Sequence, residues 1–235
     1  MNDSYVSADP LRARIAIHSY GTNPTPWYAF VRALLPPADR LLDAGAGTGA
    51  LWADDPPPGL VAADASEAMC AALAARRLPV VRARVERLPF APGAFDGVLC
   101  NHVLYHLPDP AAGVAELRRV TRGWAAVATN GTGHVTEVDD VARAAGLPVD
   151  VVHDRFPAER LAAALGAHFG DVTVHRYDDA LVVPEPAPVV AYVASLAGRA
   201  LTPAEEDAAY AVVSERIARD GAFHVRKHTV LAVAR

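Results

Sequence analysis

Apolar residues along this chain gather in short, unbroken runs, and the stretches between those runs carry helical spacing. RLLDAG is apolar and stops abruptly at glycines, which predicts a buried strand. LVAAD predicts a second strand, VVRA a short third, FDGVLC a fourth and WAAVATN a fifth. Between them, SEAMCAALAARR predicts an amphipathic helix with Ser66 as N-cap and a carboxylate in its first turn. DPAAGVAELRRVTR predicts another, opened by a cap–proline pair. Strands that alternate with helices call for a parallel sheet covered on both faces.

The two ends depart from this rhythm. LRARIAIHSY and WYAFVRALL predict two helices, with a turn-rich joint from Gly21 to Pro26. In the tail, PAERLAAALGAHF predicts a helix, DVTVHRYDDALVV one long strand and AFHVRKHTVLAVAR another. The helical region 185–220 joins the last two, so they are expected as an antiparallel pair on the sheet edge. The organisation expected is a single domain: an N-terminal helical lid (1–38), a core (39–130) and a substrate-side region (131–235) carrying the helical insertion.

Composition narrows the class. The 235 residues are 52% hydrophobic and 21% charged, a globular balance in which much of the apolar share is alanine. No run approaches the roughly 18 apolar residues that span a bilayer. MNDSYVSADP has neither a basic n-region nor an apolar h-region, so no secretory signal is expected there. Cys70 and Cys100 are too few for a disulfide framework and have no close partner at zinc spacing, which makes a reducing, cytoplasmic setting the expectation. The formal net charge is -5 and the basic residues are scattered, so no nucleic-acid partner is expected.

The strongest local signal is LLDAGAGTG, residues 41–49. A strand ends in Asp43, and the glycines that follow permit a tight strand-to-helix turn and close approach of a ligand. Gly45-x-Gly47-x-x-Ala50 also fits a looser dinucleotide fingerprint. Asp43, however, would meet a ligand ammonium favourably and would repel a pyrophosphate. The helix after the loop ends by Pro56–Pro58, so no long dipole is aimed at phosphates. Asp64, closing LVAAD, is placed to accept hydrogen bonds from a ribose diol, or else to cap the helix that follows.

With ARVERLPFAPGAFDGVLCNHVLYHLPDP added, the chain resembles the class I S-adenosylmethionine-dependent methyltransferases, in particular their small-molecule, natural-product branch. The resemblance covers about residues 12–130. It implies an α/β, Rossmann-like, seven-stranded and mostly parallel sheet with helices on both faces and an antiparallel edge strand. It also implies S-adenosyl-L-methionine as cofactor, S-adenosyl-L-homocysteine as product, and a small-molecule acceptor methylated at oxygen, nitrogen or carbon. By position, Asp43, Gly45, Ala46 and Gly47 are expected beside the methionyl moiety and Asp64 on the ribose. Ala65 and Met69 are expected against the adenine, with the Val85 amide at a ring nitrogen and Asn101 near the sulfonium. The family commonly has an aspartate before Val85 to accept from the adenine amine; Arg84 stands there and has no acceptor to offer. Either Glu86 takes over or the adenine is held by packing.

Methyl transfer needs alignment, exclusion of water and, for many nucleophiles, a base. His102 and His106 follow the fourth strand and are the candidate bases, His106 in an HLPD-like string. Tyr20 is the candidate lid residue, touching the methionyl carboxylate or the acceptor. His134, Thr136 and Glu137 are expected to form another wall of the pocket. No metal is required. The rival readings are a catalytically silent cofactor-binding relative and a nicotinamide-dependent oxidoreductase, the latter weakened by a single lysine, Lys227. An RNA methyltransferase is disfavoured by Asn101-His102-Val103-Leu104 standing where an N-P-P-Y-type motif would.

Overall fold

The computed structural model describes residues 14–53 and 55–235. The chain divides into two compact units. The larger comprises Trp27–Thr132, Val152–Tyr177 and Thr229–Arg235. It is built on strands β1 (Leu41–Ala44), β2 (Leu60–Asp64), β3 (Val80–Arg82), β4 (Phe95–Asn101) and β5 (Thr121–Asn130), with β6 (Val172–Tyr177) and β9 (Thr229–Ala234) from the tail. They form one seven-stranded sheet in the order β3-β2-β1-β4-β5-β9-β6. The first five are parallel; β9 runs antiparallel to both β5 and β6, so the expected antiparallel pair closes one edge.

The central strands β1, β2, β4, β5 and β9 are largely apolar because both faces are covered, whereas β6, at the sheet edge, is mostly exposed. Alternate residues serve opposite faces. Leu42, Ala44, Val98 and Cys100 join one core cluster, while Leu41, Leu60, Leu99 and Leu231 join the other. Helices α1 (Trp27–Leu34), α2 (Glu67–Ala75), α3 (Pro110–Val120) and α5 (Ala158–Gly166) supply the covering layers. Their starts follow the sequence signals. Ser66 accepts from the Met69 amide at 3.4 Å, and Asp109 accepts from the amides of Ala111 and Ala112 with Pro110 in the first turn.

The smaller unit contains the described part of Met1–Pro26, with Gly133–Val151 and Asp178–His228. Its elements are a 3-10 turn (Ile17–Tyr20), α4 (Thr136–Ala144), α6 (Pro186–Ala197), α7 (Pro203–Asp220) and a two-stranded antiparallel sheet of β7 (Ala180–Val183) and β8 (Phe223–Arg226). Val138, Val141, Val189, Val193, Val213 and Phe223 form its core. The first residues of the predicted helix LRARIAIHSY lie outside the described residues.

Two expectations need correction. DVTVHRYDDALVV is not one strand: β6 ends at Tyr177, and β7 begins at Ala180 in the other sheet. AFHVRKHTVLAVAR likewise breaks between Arg226 and Thr229. The cause is polar. The Asp179 carboxylate accepts from the amides of Thr22 (2.8 Å) and Asn23 (3.0 Å) and from the Lys227 ammonium, so residues at both breaks are committed to each other. Thr136–Ala144 is a helix that the sequence reading leaves as pocket wall, although Val138, Val141, Ala142 and Ala145 have helical spacing. Among the described residues no helix is long and apolar enough to cross a membrane.

Candidate cofactor site

The chain runs from β1 outward through β2 to β3, then returns to place β4 on the other side of β1. Open α/β sheets bind ligands in the crevice at such a reversal, which here falls at the carboxyl ends of β1 and β4. Asp43 with the glycines after it, Asp64, and Asn101 with His102 stand at or just past the tips of β1, β2 and β4.

From β1 comes the glycine bend. Gly45, Gly47 and Gly49 all have positive φ, at 82°, 57° and 71°, which side chains with a Cβ rarely adopt. The amides of Gly45 (2.7 Å) and Ala46 (3.0 Å) both donate to the Ala63 carbonyl, folding the bend against β2. Val103, just beyond β4, packs on Gly45 so closely that a Cβ there would lie 2.4 Å from Val103 Cγ2. Only a 3-10 turn, Ala50–Trp52, follows the bend, in keeping with the short helix expected.

Asp43 lies beneath this bend, 2% exposed. Its Oδ2 accepts from Trp52 Nε1 at 2.7 Å, while Oδ1 is buried with no hydrogen-bond partner among the described residues. Burial pushes the carboxyl up from 3.8 to about 7; the Trp52 bond opposes the rise and the Asp64 charge adds to it. Nearby groups respond. Burial and the Asp43 charge push the Tyr28 hydroxyl and the Cys100 thiol upward, so both stay neutral.

From β2 comes Asp64, half-buried, with Oδ2 accepting from Gly47 N and Oδ1 from Ser66 N, each at 2.9 Å. It therefore ties the glycine bend to the start of α2. Burial raises its pKa, against the pull of these amides. An ionised carboxylate has about four acceptor positions, so Asp64 keeps capacity for a ligand beyond these two bonds. Ala65 beside it is exposed, whereas Met69 is already buried in α2.

From β4 come Asn101 and His102. Asn101 Oδ1 accepts from Trp27 Nε1 at 3.3 Å, and the Trp27 ring lies 5.3 Å from the His102 ring. His102 has φ 60°, an uncommon conformation for a residue with a side chain, and its amide still donates to the Ala128 carbonyl. His106 ends the 3-10 turn Leu104–His106, its ring 4.6 Å from that of Tyr105.

Beyond β3, the Ala83 amide donates to the Asp64 carbonyl at 2.9 Å, which starts segment 83–90 at the same sheet edge. Val85 is buried and Arg84 is largely exposed. Glu86 Oε2 is buried without a hydrogen-bond partner among the described residues and pairs loosely with Arg84 Nε at 3.9 Å.

Several contributors escape sequence reasoning. Trp27 figures there only as the start of the helix WYAFVRALL, and Trp52 and Val103 carry no motif. A buried indole needs an acceptor for its N–H, and that requirement is the only sequence-level hint for either tryptophan. Tyr20 belongs to the smaller unit, where its hydroxyl donates to Glu185 at 2.9 Å. His134 and Glu137 also lie in that unit: His134 Nδ1 accepts from the His228 amide, and Glu137 pairs with Arg226.

Known proteins share the fold of this chain and the segment from β1 to β5. Residues 42–129 match the model of the methyltransferase domain family. That match spans about a third of the chain, and solved structures described as SAM-dependent methyltransferases share the fold along most of its length. The demethylmenaquinone methyltransferase of Mycolicibacterium vanbaalenii is 44% identical over 90 residues, which span 37% of this chain and 40% of that protein. A Thermotoga maritima structure described as a SAM-dependent methyltransferase, possible histamine N-methyltransferase, superposes with a TM-score of 0.56 at 17% identity, covering 95% of this chain and 90% of that one. A Haemonchus contortus phosphoethanolamine N-methyltransferase 2, in complex with phosphomonomethylethanolamine and S-adenosylhomocysteine, gives 0.57 at 18% identity, covering 95% of this chain and 56% of that one.

Proposed function

We propose that the crevice at the β1 and β4 tips binds S-adenosyl-L-methionine and that the chain moves its methyl group to a small-molecule acceptor, releasing S-adenosyl-L-homocysteine. The observation that carries this reading is the buried Asp43 Oδ1, a carboxylate oxygen beside a glycine bend with no hydrogen-bond partner among the described residues. A ligand that brings an ammonium group satisfies it; one that brings a pyrophosphate does not. The cofactor supplies an activated methyl group, so the protein's work is to bind, orient and exclude water.

In this reading Asp43, Gly45, Ala46 and Gly47 hold the methionyl end, and the free acceptor positions of Asp64 take the ribose hydroxyls. Ala65, Met69 and the Val85 amide border the adenine. Asn101, oriented by Trp27, faces the sulfonium region. His102 and His106 are the groups available to take a proton from the acceptor. An acceptor from secondary metabolism and a cytoplasmic setting complete the proposal; they rest on the sequence resemblance and on the unpaired Cys70 and Cys100.

Titration calorimetry with S-adenosylhomocysteine tests the binding step, with heat expected for this ligand and none for a reduced nicotinamide dinucleotide. Absence of heat with S-adenosylhomocysteine overturns the proposal. Demethylmenaquinone is the first acceptor to try, because the relative similar over 90 residues is named for it.

A further inference from the structure

The chain has three tryptophans, and one of them uses its indole N–H differently from the others. Trp27 donates to the amide oxygen of Asn101 and Trp124 to the main-chain carbonyl of Pro37, each at 3.3 Å. Trp52 donates to a carboxyl group, Asp43 Oδ2, at 2.7 Å, although the two residues are only 4% and 2% exposed. A buried indole needs an acceptor, and a neutral carbonyl is enough. A hydrogen bond to an ionised acid is shorter and roughly twice as strong.

The indole is held in place by its own turn. The Gly49 amide donates to the Ala46 carbonyl at 3.0 Å and the Trp52 amide to the Gly49 carbonyl at 3.1 Å. Arg32 of α1 donates to the Leu51 carbonyl at 2.8 Å, and Leu51 and Trp52 pack with Val31, Leu41 and Leu60 in one core cluster. The glycine bend thus carries at its far end the donor for the acid at its near end. The other titratable groups that bear on Asp43 are Asp64 at the tip of β2, whose charge opposes a second one, and the neutral Tyr28 of α1 and Cys100 of β4. None of them is cationic. Against burial and Asp64, the Trp52 bond is what favours ionisation.

We infer that Trp52 is a positioning residue for the cofactor: by holding Asp43 Oδ2 it keeps the acid ionised and leaves Oδ1 to the ammonium group of the ligand. The inference rests on the proposed cofactor and deepens it. Without the indole N–H, the buried acid keeps its proton to higher pH, and a protonated Asp43 offers little to a cation.

Two experiments test it. The first follows the three indole N–H signals of the full chain by NMR as the pH is varied, with Trp27→Phe and Trp124→Phe to assign them. The Trp52 signal should titrate with the Asp43 midpoint of about 7, and Asp43→Asn should remove that titration. The second is calorimetry with S-adenosylhomocysteine across pH on the wild type and on Trp52→Phe, which keeps an aromatic ring and removes the donor. Affinity should rise with pH in both, with the midpoint about one pH unit higher in the variant, as expected for loss of a hydrogen bond to a charged group. At about pH 7 this is roughly a fivefold loss of affinity, since affinity follows the ionised fraction, and most of it should return by about pH 8.5. A merely structural tryptophan would lower the midpoint of thermal unfolding and leave the pH midpoint of binding where it was. A Trp52 signal that does not titrate overturns the inference whether or not Trp52→Phe folds, and so does a folded variant with an unmoved pH midpoint. In either case, heat with S-adenosylhomocysteine in the wild type leaves the cofactor assignment standing. No heat with S-adenosylhomocysteine in the wild type brings down both.

Discussion

Trp52 Nε1 donates to Asp43 Oδ2 across 2.7 Å, and this bond fixes which half of a buried carboxylate remains for a ligand. Oδ2 is spoken for. Oδ1 has no hydrogen-bond partner among the described residues, on a group that burial has pushed up to about 7.

A proton is therefore expected to leave when the cofactor product binds. A ligand ammonium beside Oδ1 favours the ionised acid and lowers its pKa. Just below pH 7, calorimetric heats for S-adenosylhomocysteine should depend on the ionisation enthalpy of the buffer, with net proton release. Asp43→Asn should abolish that dependence. Without ligand, the native state retains a proton that the unfolded chain has lost between 3.8 and about 7, so stability should fall as pH rises through that window. The same variant should flatten the slope in urea unfolding. Equal heats in two buffers would refute the ligand half of the argument.

Asp64 joins binding to folding. Its oxygens hold the amides of Gly47 and Ser66, so Asp64→Ala strands two donors as well as removing the proposed ribose contact. We expect a stability loss of about 2 kcal/mol from hydrogen bonds to a charged acceptor, and loss of measurable heat with S-adenosylhomocysteine. Asp64→Asn keeps one acceptor and should fall between. A folded Asp64→Ala protein that binds the nucleoside like wild type would rule out the ribose role.

The sequence made the sheet legible wherever burial on both faces leaves an uninterrupted apolar run, as in β1, β2, β4 and β5. It also exposed the caps, since Ser66 and Asp109 each stand directly before an apolar-periodic stretch. What it hid follows from chemistry that acts across long separations. Asp178–Asp179 inside YDDA and Arg226–His228 inside RKHT were the visible marks of broken strands, but their meaning depends on Asp179 meeting Lys227, 48 residues away. Trp27 and Asn101 are 74 residues apart, and no local pattern connects an indole with an amide. At the site, the strand-tip acids and glycines could be read in order, whereas the packing of Val103 on Gly45 and the empty Oε2 of Glu86 appear only in three dimensions.

Gly45 is expected to tolerate no side chain. Its φ of 82° is strained for alanine, and the added Cβ would lie 2.4 Å from Val103 Cγ2. Strain and overpacking each cost about 1–3 kcal/mol, so Gly45→Ala should destabilise by about 2–6 kcal/mol. Val103→Ala removes the collision and leaves the backbone strain. The double variant should thus recover part of the loss relative to additivity, a coupling that urea unfolding of the four proteins measures. Strict additivity would mean that Val103 does not limit the bend.

The Asp179–Lys227 pair should prove a structural weak point when only one partner is changed. The two side chains are 2% and 5% exposed, and Lys227 is the only lysine in the chain. Burial alone would raise the Asp179 pKa, yet the Lys227 ammonium and the amides of Asn23 and Thr22 outweigh it and hold the pKa below its ordinary value. Removing one member of a buried pair typically costs about 3–5 kcal/mol, because the other charge stays buried. Lys227→Met should fall near the lower end, since the carboxylate keeps its two amide donors. Asp179→Ala should cost more, because it abandons those amides together with the ammonium. The pH dependence has the sign of a depressed acid: the stabilisation is present above 3.8 and is lost as pH falls through the lowered native pKa. In Lys227→Met that native pKa rises, so the acid-induced loss should shrink relative to wild type. Urea unfolding at neutral and acid pH reads both effects, and a Lys227→Met protein within about 0.5 kcal/mol of wild type, the range of neutral surface changes, would show that the pair contributes nothing to holding the two strand breaks in place.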